Sequence, residues 1–330
     1  MFPRRLHPAH LLWLLIPILL WWALRDIRLA EVLAVLGRLG VWQIIALIII
    51  NALTLLVFSG RWWIILRAQG HDIPYRTITR YRVASFGVSY FTPGPQFGGE
   101  PLQVYVLQRH HGLPGPVAVA ATTVDKVLEL LINFAFLAFG FIVIAQQKIF
   151  PALANVNLVG GMLVLLALPL LFLASAWLGW MPLTRLLSVL PVRSPRYERA
   201  LAAVRETESE VAQFCRTQPR SLFWAVLFSI VSWGFIMIEY WLGLSFLGLN
   251  LTLLQLVVAV TINRLAFLAP LPGGLGALES SQVIAMTALG LDPAVGVTQA
   301  LIIRSRDVLT GGLGLWWGAR DASQKTAIER

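Results

Sequence analysis

The sequence predicts an all-α integral membrane protein of about six transmembrane helices and two re-entrant helical hairpins, arranged as an inverted repeat. Three observations carry this expectation. Charged residues are scarce, long apolar runs recur along the chain, and two Pro/Gly-broken segments sit at matching places in its two halves.

Of 330 residues, 58% are hydrophobic and 13% are charged, roughly half the charged share of a soluble domain. One soluble core cannot hide that much apolar surface, so hydrocarbon must act as the solvent and a soluble enzyme is excluded as a class. The formal net charge of +10 does not imply a nucleic-acid partner. The Lys and Arg residues gather in connecting segments, as the positive-inside rule requires of a membrane protein. A single cysteine, Cys215, excludes an internal disulfide. None of the five histidines forms a metal-ligand helix pair with a carboxylate, so no metal and no cofactor are expected.

Leu11–Leu24 reads as a first span: Trp21-Trp22 followed by Arg25 is no small-residue cleavage site. Arg4, Arg5, His7 and His10 place the N-terminus in the cytoplasm. Trp42–Leu66 forms the next span. Arg61, Trp62, Trp63 and Arg67 then read as interfacial anchors, and Arg76, Arg80 and Arg82 as part of the same cytoplasmic stretch. The first hairpin covers 78–111, broken at Phe91-Thr-Pro-Gly-Pro-Gln-Phe-Gly-Gly-Glu100, a run that cannot continue a helix. Such backbone is tolerated at membrane depth only inside protein or along a wet cavity.

Val117–Ala145 crosses outward and Val159–Trp180 returns. A polar linker at 182–220 holds Leu201, Val204, Val211 and Phe214 at helical spacing, which predicts a surface helix. Leu222–Leu247 crosses outward, the second hairpin covers 252–290, and Val295–Trp317 returns to a cytoplasmic C-terminus. The whole is one polytopic domain, with repeat one at about 41–146 and repeat two at about 221–319. Trp42, Trp180, Trp224, Trp241, Trp316 and Trp317 lie near span ends, as interfacial anchors do.

The halves match in charge as well as in hydropathy. Pro93 and Glu100 are seven residues apart across a glycine-rich bend, and so are Pro272 and Glu279. Gly112-Leu113 follows the first bend and Gly290-Leu291 the second. Lys126 and Glu129 sit three apart in the following span, as Arg304 and Asp307 do in theirs. Inverted repeats with broken helices meeting at mid-membrane are the architecture of alternating-access transporters.

At these residues the chain resembles the transmembrane region of lysylphosphatidylglycerol synthases, the flippase module of the multiple peptide resistance factors. The resemblance rests on Arg61-Trp62, Pro93 through Glu100, Asp125-Lys126 with Glu129, and above all Pro272-Gly-Gly-Leu-Gly-Ala-Leu-Glu279. It implies movement of a lipid between leaflets. In two-part relatives a separate soluble domain makes that lipid. The chain stops about ten residues after its last expected span, so a stand-alone member is expected, served by a separate lipid-synthesising enzyme. Gln103 stands where the family often carries arginine.

Seven ionisable residues at membrane depth become candidate substrate ligands: Glu100, Lys126, Glu129, Arg264, Glu279, Arg304 and Asp307. Two readings stand for the Lys126/Glu129 and Arg304/Asp307 pairs: structural ion pairs, or cationic sites for a lipid phosphate oriented by their carboxylates. Glu100 and Glu279 either stabilise a helix N-terminus or bind a cationic headgroup. Pro93, Gly98, Gly99, Pro272, Gly273, Gly274 and Gly276 shape the hairpin bends. The expected function is a lipid translocase in the cytoplasmic membrane, with an anionic headgroup as cargo. An intramembrane lipid-modifying enzyme using Glu100 and Glu279 as acid and base, or a small-solute carrier, are the alternatives. No nucleophile constellation is present, so no catalytic residue is named; the sequence assigns no oligomeric state.

Overall fold

The computed structural model describes residues 37, 39–92, 98–147, 149, 158–191, 194–268, 274 and 276–328. Every element among them is a helix: α1 (Val41–Ala68), α2 (Tyr75–Phe91), α3 (Glu100–His111), α4 (Gly115–Gln146), α5 (Leu158–Leu178), α6 (Pro182–Ser188), α7 (Pro195–Thr217), α8 (Pro219–Phe246), α9 (Leu253–Ala266), α10 (Ala277–Ala288) and α11 (Pro293–Ile328). Val41–Ala68, Gly115–Gln146, Val159–Leu178 and Pro219–Phe246 are long and apolar enough to cross a membrane. The 36-residue α11 has the length as well, with Arg304, Arg306 and Asp307 in its middle. The expected span at 11–24 lies outside the described residues, as do Pro93, Pro272 and Gly273.

Lipid-facing surface is evident on the outer helices. Trp42, Ile45, Ile48, Ile49 and Leu53 of α1 are exposed, as are Leu163, Val164, Leu168 and Leu171 of α5. In water such contiguous apolar faces would drive aggregation; in hydrocarbon they are matched to their solvent. The chain is an all-α integral membrane protein.

The two halves repeat in register. Val41 and Pro219, Tyr75 and Leu253, and Gly115 and Pro293 open corresponding helices, and the three pairs share one sequence offset. α1 and α8 are equal in length and pack against each other. The hairpins are exchanged: α2 lies along α11 of the other half, and α9 along α4. Small residues allow the close approach. A Cβ on Gly314 would sit 2.0 Å from the Val83 carbonyl oxygen, and one on Gly140 would sit 1.8 Å from the Thr261 hydroxyl.

Two buried clusters mark opposite ends of the bundle. One gathers the end of α1 (Trp62, Ile65, Leu66), the start of α4, the end of α5 and Val211, Phe214 and Cys215 of α7. The other gathers Val143 and Ile144 at the end of α4, Leu244 of α8, Leu256–Ile262 of α9 and Ala300 of α11. The first hairpin therefore begins and ends at the α7 end, and the second at the opposite end.

The hairpin helices are short, at 17, 12, 14 and 12 residues, against about 20 for a full crossing. Each pair stops on a left-handed glycine, Gly112 at φ 66° and Gly290 at φ 69°. Those are backbone angles at which a side chain would be strained. The first hairpin runs from Tyr75, a few residues earlier than the sequence indicates.

The surface helix expected near 201–214 is α7. Ser194 caps it by accepting from Tyr197 N, with Pro195 in the first turn. Only its second half is buried, on α4 and α5. Glu208 on that helix accepts the Leu183 and Thr184 amides at 2.9 Å, closing the N-terminus of α6.

Three expectations are corrected. Trp62 is no interfacial anchor: it is 0% exposed inside the first cluster. Arg61 beside it is 1% exposed, and Arg82 is a buried residue of α2, not part of a loop. Burial of these arginines is tolerable because each finds a carboxylate in α4.

Candidate functional site

A cavity of about 740 Å³ lies between the two halves, walled by α1, α2, α3 and α4 on one side and α8, α9 and α11 on the other. Its charges come from both halves. Asp125 receives Arg61 Nε and Arg82, each at 2.7 Å. Arg61 also reaches Glu129 at 3.1 Å and the Ser229 hydroxyl at 3.2 Å. Lys126 bridges Glu129 and Glu100, both at 2.9 Å. Glu100 also accepts the Gly98 amide at 2.9 Å, so the carboxylate closes its own helix N-terminus and reaches α4. Both readings of that residue are compatible with this geometry. A Cβ on Gly99 would meet the Ser85 carbonyl oxygen at 2.3 Å, so only glycine lets the bend lie this close to α2.

The second half repeats half of this pattern. Glu279 pairs with Arg304, the counterpart of Glu100 with Lys126. Arg304 and Asp307 do not pair with each other as their spacing suggests. Arg304 turns to α10, and Asp307 is held by its neighbour Arg306 at 2.7 Å. Arg306 also reaches Glu239 of α8 at 2.8 Å. Gly274 and Gly276 both hold positive φ, at 62° and 74°, in the bend that leads to Glu279.

Arg264 is different. It lines the cavity and has no carboxylate partner among the described residues. Its guanidinium lies over the Trp233 ring at 4.7 Å and faces Phe267 at 5.8 Å. Trp233 in turn stacks on Phe136 at 4.3 Å, so a rigid aromatic shelf supports the charge. Its charged neighbours are Arg306, Asp307, Glu129 and Glu239. Around it the cavity wall carries buried polar atoms that lack hydrogen-bond partners: Ser85 Oγ, Gln103 Oε1, Glu239 Oε2, Asn263 Oδ1 and Gln299 Oε1. Orphaned polar atoms are costly in a low-dielectric interior unless something polar meets them.

Of the residues singled out from sequence, Glu100, Lys126, Glu129, Arg264 and Asp307 line the cavity together, while Glu279 and Arg304 pair off its wall. Sequence reasoning missed Arg61, Arg82, Asp125 and Glu239 as members of the network. A signal existed: Arg61 and Glu239 occupy the same register position of the two repeats, each tying its span to the charged helix of its own half. Apolar side chains of α1, among them Ile44, Leu47 and Leu55, complete the wall. The arrangement can hold a group that is anionic at one end and apolar at the other.

A bundle of this topology, with a two-sided charged cavity, defines a polytopic membrane protein of repeated halves. The chain belongs to the family described as lysylphosphatidylglycerol synthase TM region, whose profile matches residues 12–313. It is similar to the UPF0104 membrane protein PH1989 of Pyrococcus horikoshii, with 23% identity over 307 residues, covering 88% of this chain and 89% of the relative. The UPF0104 membrane protein MJ1595 of Methanocaldococcus jannaschii is 21% identical over 284 residues, 84% of each chain. One from Methanothermobacter thermautotrophicus is 21% identical over 270 residues, 78% of each chain. No solved structure matches this chain.

Proposed function

We propose that this protein is a lipid translocase, moving a phospholipid or polyprenyl-linked lipid with an anionic headgroup across the cytoplasmic membrane without covalent chemistry. The observation that carries this reading is Arg264, a cation facing the inter-repeat cavity with no carboxylate partner among the described residues. Arginine presents a planar fork that binds phosphate bidentately. The apolar wall from α1 suits an acyl or prenyl chain. The two short-helix hairpins are re-entrant in this reading and open to opposite faces, as alternating access requires. The end that carries α7, with Arg196, Arg199, Arg205 and Arg216, faces the cytoplasm, as do both termini. A separate lipid-synthesising enzyme supplies the cargo.

The test is leaflet exchange of labelled phosphatidylglycerol and phosphatidylcholine in proteoliposomes. Faster exchange of the anionic lipid by wild type, lost in Arg264→Ala protein that still folds cooperatively, supports the reading. Undiminished exchange in that variant, or no exchange of any lipid by folded wild type, overturns it.

A further inference from the structure

Charges inside the membrane bundle balance. Among the described residues, the cations Arg61, Arg82, Lys126, Arg264, Arg304 and Arg306 equal in number the carboxylates Glu100, Asp125, Glu129, Glu239, Glu279 and Asp307. Their distribution is uneven. The first-half network is neutral within itself, with Arg61, Arg82 and Lys126 shared among three carboxylates, and so is the Arg304–Glu279 pair. In the second half Glu239 and Asp307 share one arginine, Arg306. The trio carries one excess negative charge, and Arg264, on the same wall of the cavity, is the cation that offsets it.

An anionic ligand bound at Arg264 spends that offset. A phosphodiester then leaves the trio uncompensated in a low-dielectric site, where an unbalanced charge is strongly disfavoured. The least costly repair is a positive charge delivered to the carboxylates held by fewest donors. Asp125 has two arginines, Glu129 has Arg61 and Lys126, and Glu100 has Lys126 and the Gly98 amide. Glu239 has only Arg306, and its Oε2 has no hydrogen-bond partner though it is buried in the cavity wall. Glu279 also has one cation, Arg304, and an unpartnered Oε2, but that pair is neutral in itself and lies off the cavity wall. Asp307 likewise has only Arg306. The groups facing Asp307 are Arg306 on α11, Glu239 on α8, Arg264 on α9 and Tyr90 on α2.

We propose that the Glu239–Arg306–Asp307 trio is a proton-binding site that takes up a proton from water when a phosphodiester occupies Arg264, so that anion and proton bind together. The step forms one carboxyl O–H bond on Glu239 or Asp307 and releases no other group. It rests on the translocase reading for the identity of the anion, and it supplies that translocase with a means of drawing on a proton gradient.

Calorimetric titration of the full-length protein in detergent tests it, with dioctanoyl phosphatidylglycerol as probe, in two buffers of different ionisation enthalpy at neutral pH. The expected result is uptake of about one proton per lipid bound, falling to none in the Glu239→Gln/Asp307→Asn variant, which still binds the probe. Dioctanoyl phosphatidylethanolamine brings its own ammonium and is expected to bind with little proton uptake. Wild-type binding of the phosphatidylglycerol probe without proton uptake overturns the coupling and leaves the translocase reading standing. Binding of the ethanolamine lipid alone overturns the coupling too, since the positive charge then comes from the headgroup. Failure of folded wild type to bind either probe overturns both readings for phosphodiester lipids.

Discussion

The Glu100 carboxylate meets the Lys126 ammonium at 2.9 Å, and Glu279 meets Arg304 at the corresponding position of the second repeat. In each half the second hairpin helix is thus tied by its first turn to the long helix that follows. The charge tie stays within a half, while the first helix of each hairpin packs on the other half. The tie across α10 and α11 should behave as a coupled pair. Glu279→Ala leaves Arg304 buried and unpaired and should cost about 2–4 kcal/mol, moderated because Glu279 retains 31% exposure. Removing both in Glu279→Ala/Arg304→Met should restore much of that loss. Thermal unfolding of the three proteins in detergent decides it; additive losses would mean that the pair is not coupled.

Asp125 anchors two arginines and is 1% exposed. Asp125→Asn strands both charges and should destabilise by about 3–5 kcal/mol. Glu129→Gln should cost less, because Glu129 keeps 26% exposure and its cations have other carboxylates. Midpoints of denaturation for the two variants give the order, and a reversed order would refute it.

Arg264 touches no carboxylate but offsets the charge of the Glu239–Arg306–Asp307 trio, so its removal should cost less than breaking a direct ion pair. Arg264→Ala should lose about 1–2 kcal/mol, the share owed to its aromatic shelf and to that balance, while lipid exchange falls to background. Arg264→Lys should recover only part of the exchange, since an ammonium lacks the guanidinium fork. Equal exchange by the lysine variant would argue for a point charge over a bidentate contact.

Close packing of α2 on α11 makes two neighbouring glycines unequal. Gly314→Ala drives a Cβ to 2.0 Å from the Val83 carbonyl, whereas Gly312 has nothing within 4 Å of its own added Cβ. The first substitution should destabilise by about 1–3 kcal/mol. The second should be neutral or stabilise by up to about 1 kcal/mol through helix propensity. Unfolding midpoints for the pair check the helix contact directly.

Cys215 lies on the half of α7 that faces the bundle, and burial pushes its thiol up to about 11. A raised value means a scarcer thiolate, by about a hundredfold at pH 8 relative to an ordinary cysteine. Maleimide labelling of the folded protein should therefore be slow at pH 7 and accelerate about tenfold per pH unit up to pH 9. Rapid labelling at pH 7 that levels off at about pH 8.5–9, as for an ordinary exposed cysteine, would show α7 detached from the bundle.

Particular residues show where sequence reasoning reached and where it stopped. The long apolar runs, the broken hairpins and the charge-matched repeat were legible because each is a local pattern: hydropathy over a window, Pro and Gly where a helix must stop, a recurring offset. Partner choice was not legible. Lys126 and Glu129 pair at helical spacing, but Arg304 and Asp307 at the same spacing do not, because the fold brings Glu279 to Arg304 and Asp307 pairs with its chain neighbour Arg306. Arg61, Trp62 and Arg82 read as interfacial residues on sequence, since a basic-aromatic run at the end of an apolar helix commonly is. They are buried because α4 presents Asp125 and Glu129 at the same depth.

The sequence by itself determined that the chain lives in a membrane, roughly where its described helices lie, and that its two halves share one pattern of hydropathy and charge. These follow from transfer energies and backbone geometry, which act on each segment separately. The tertiary structure decided which charges neutralise one another and which one, Arg264, is left facing the cavity. That choice depends on which helices of each half come together, since each of these ion pairs joins residues of one half. Electrostatic energy in a low-dielectric interior is set by distances between groups far apart in the chain.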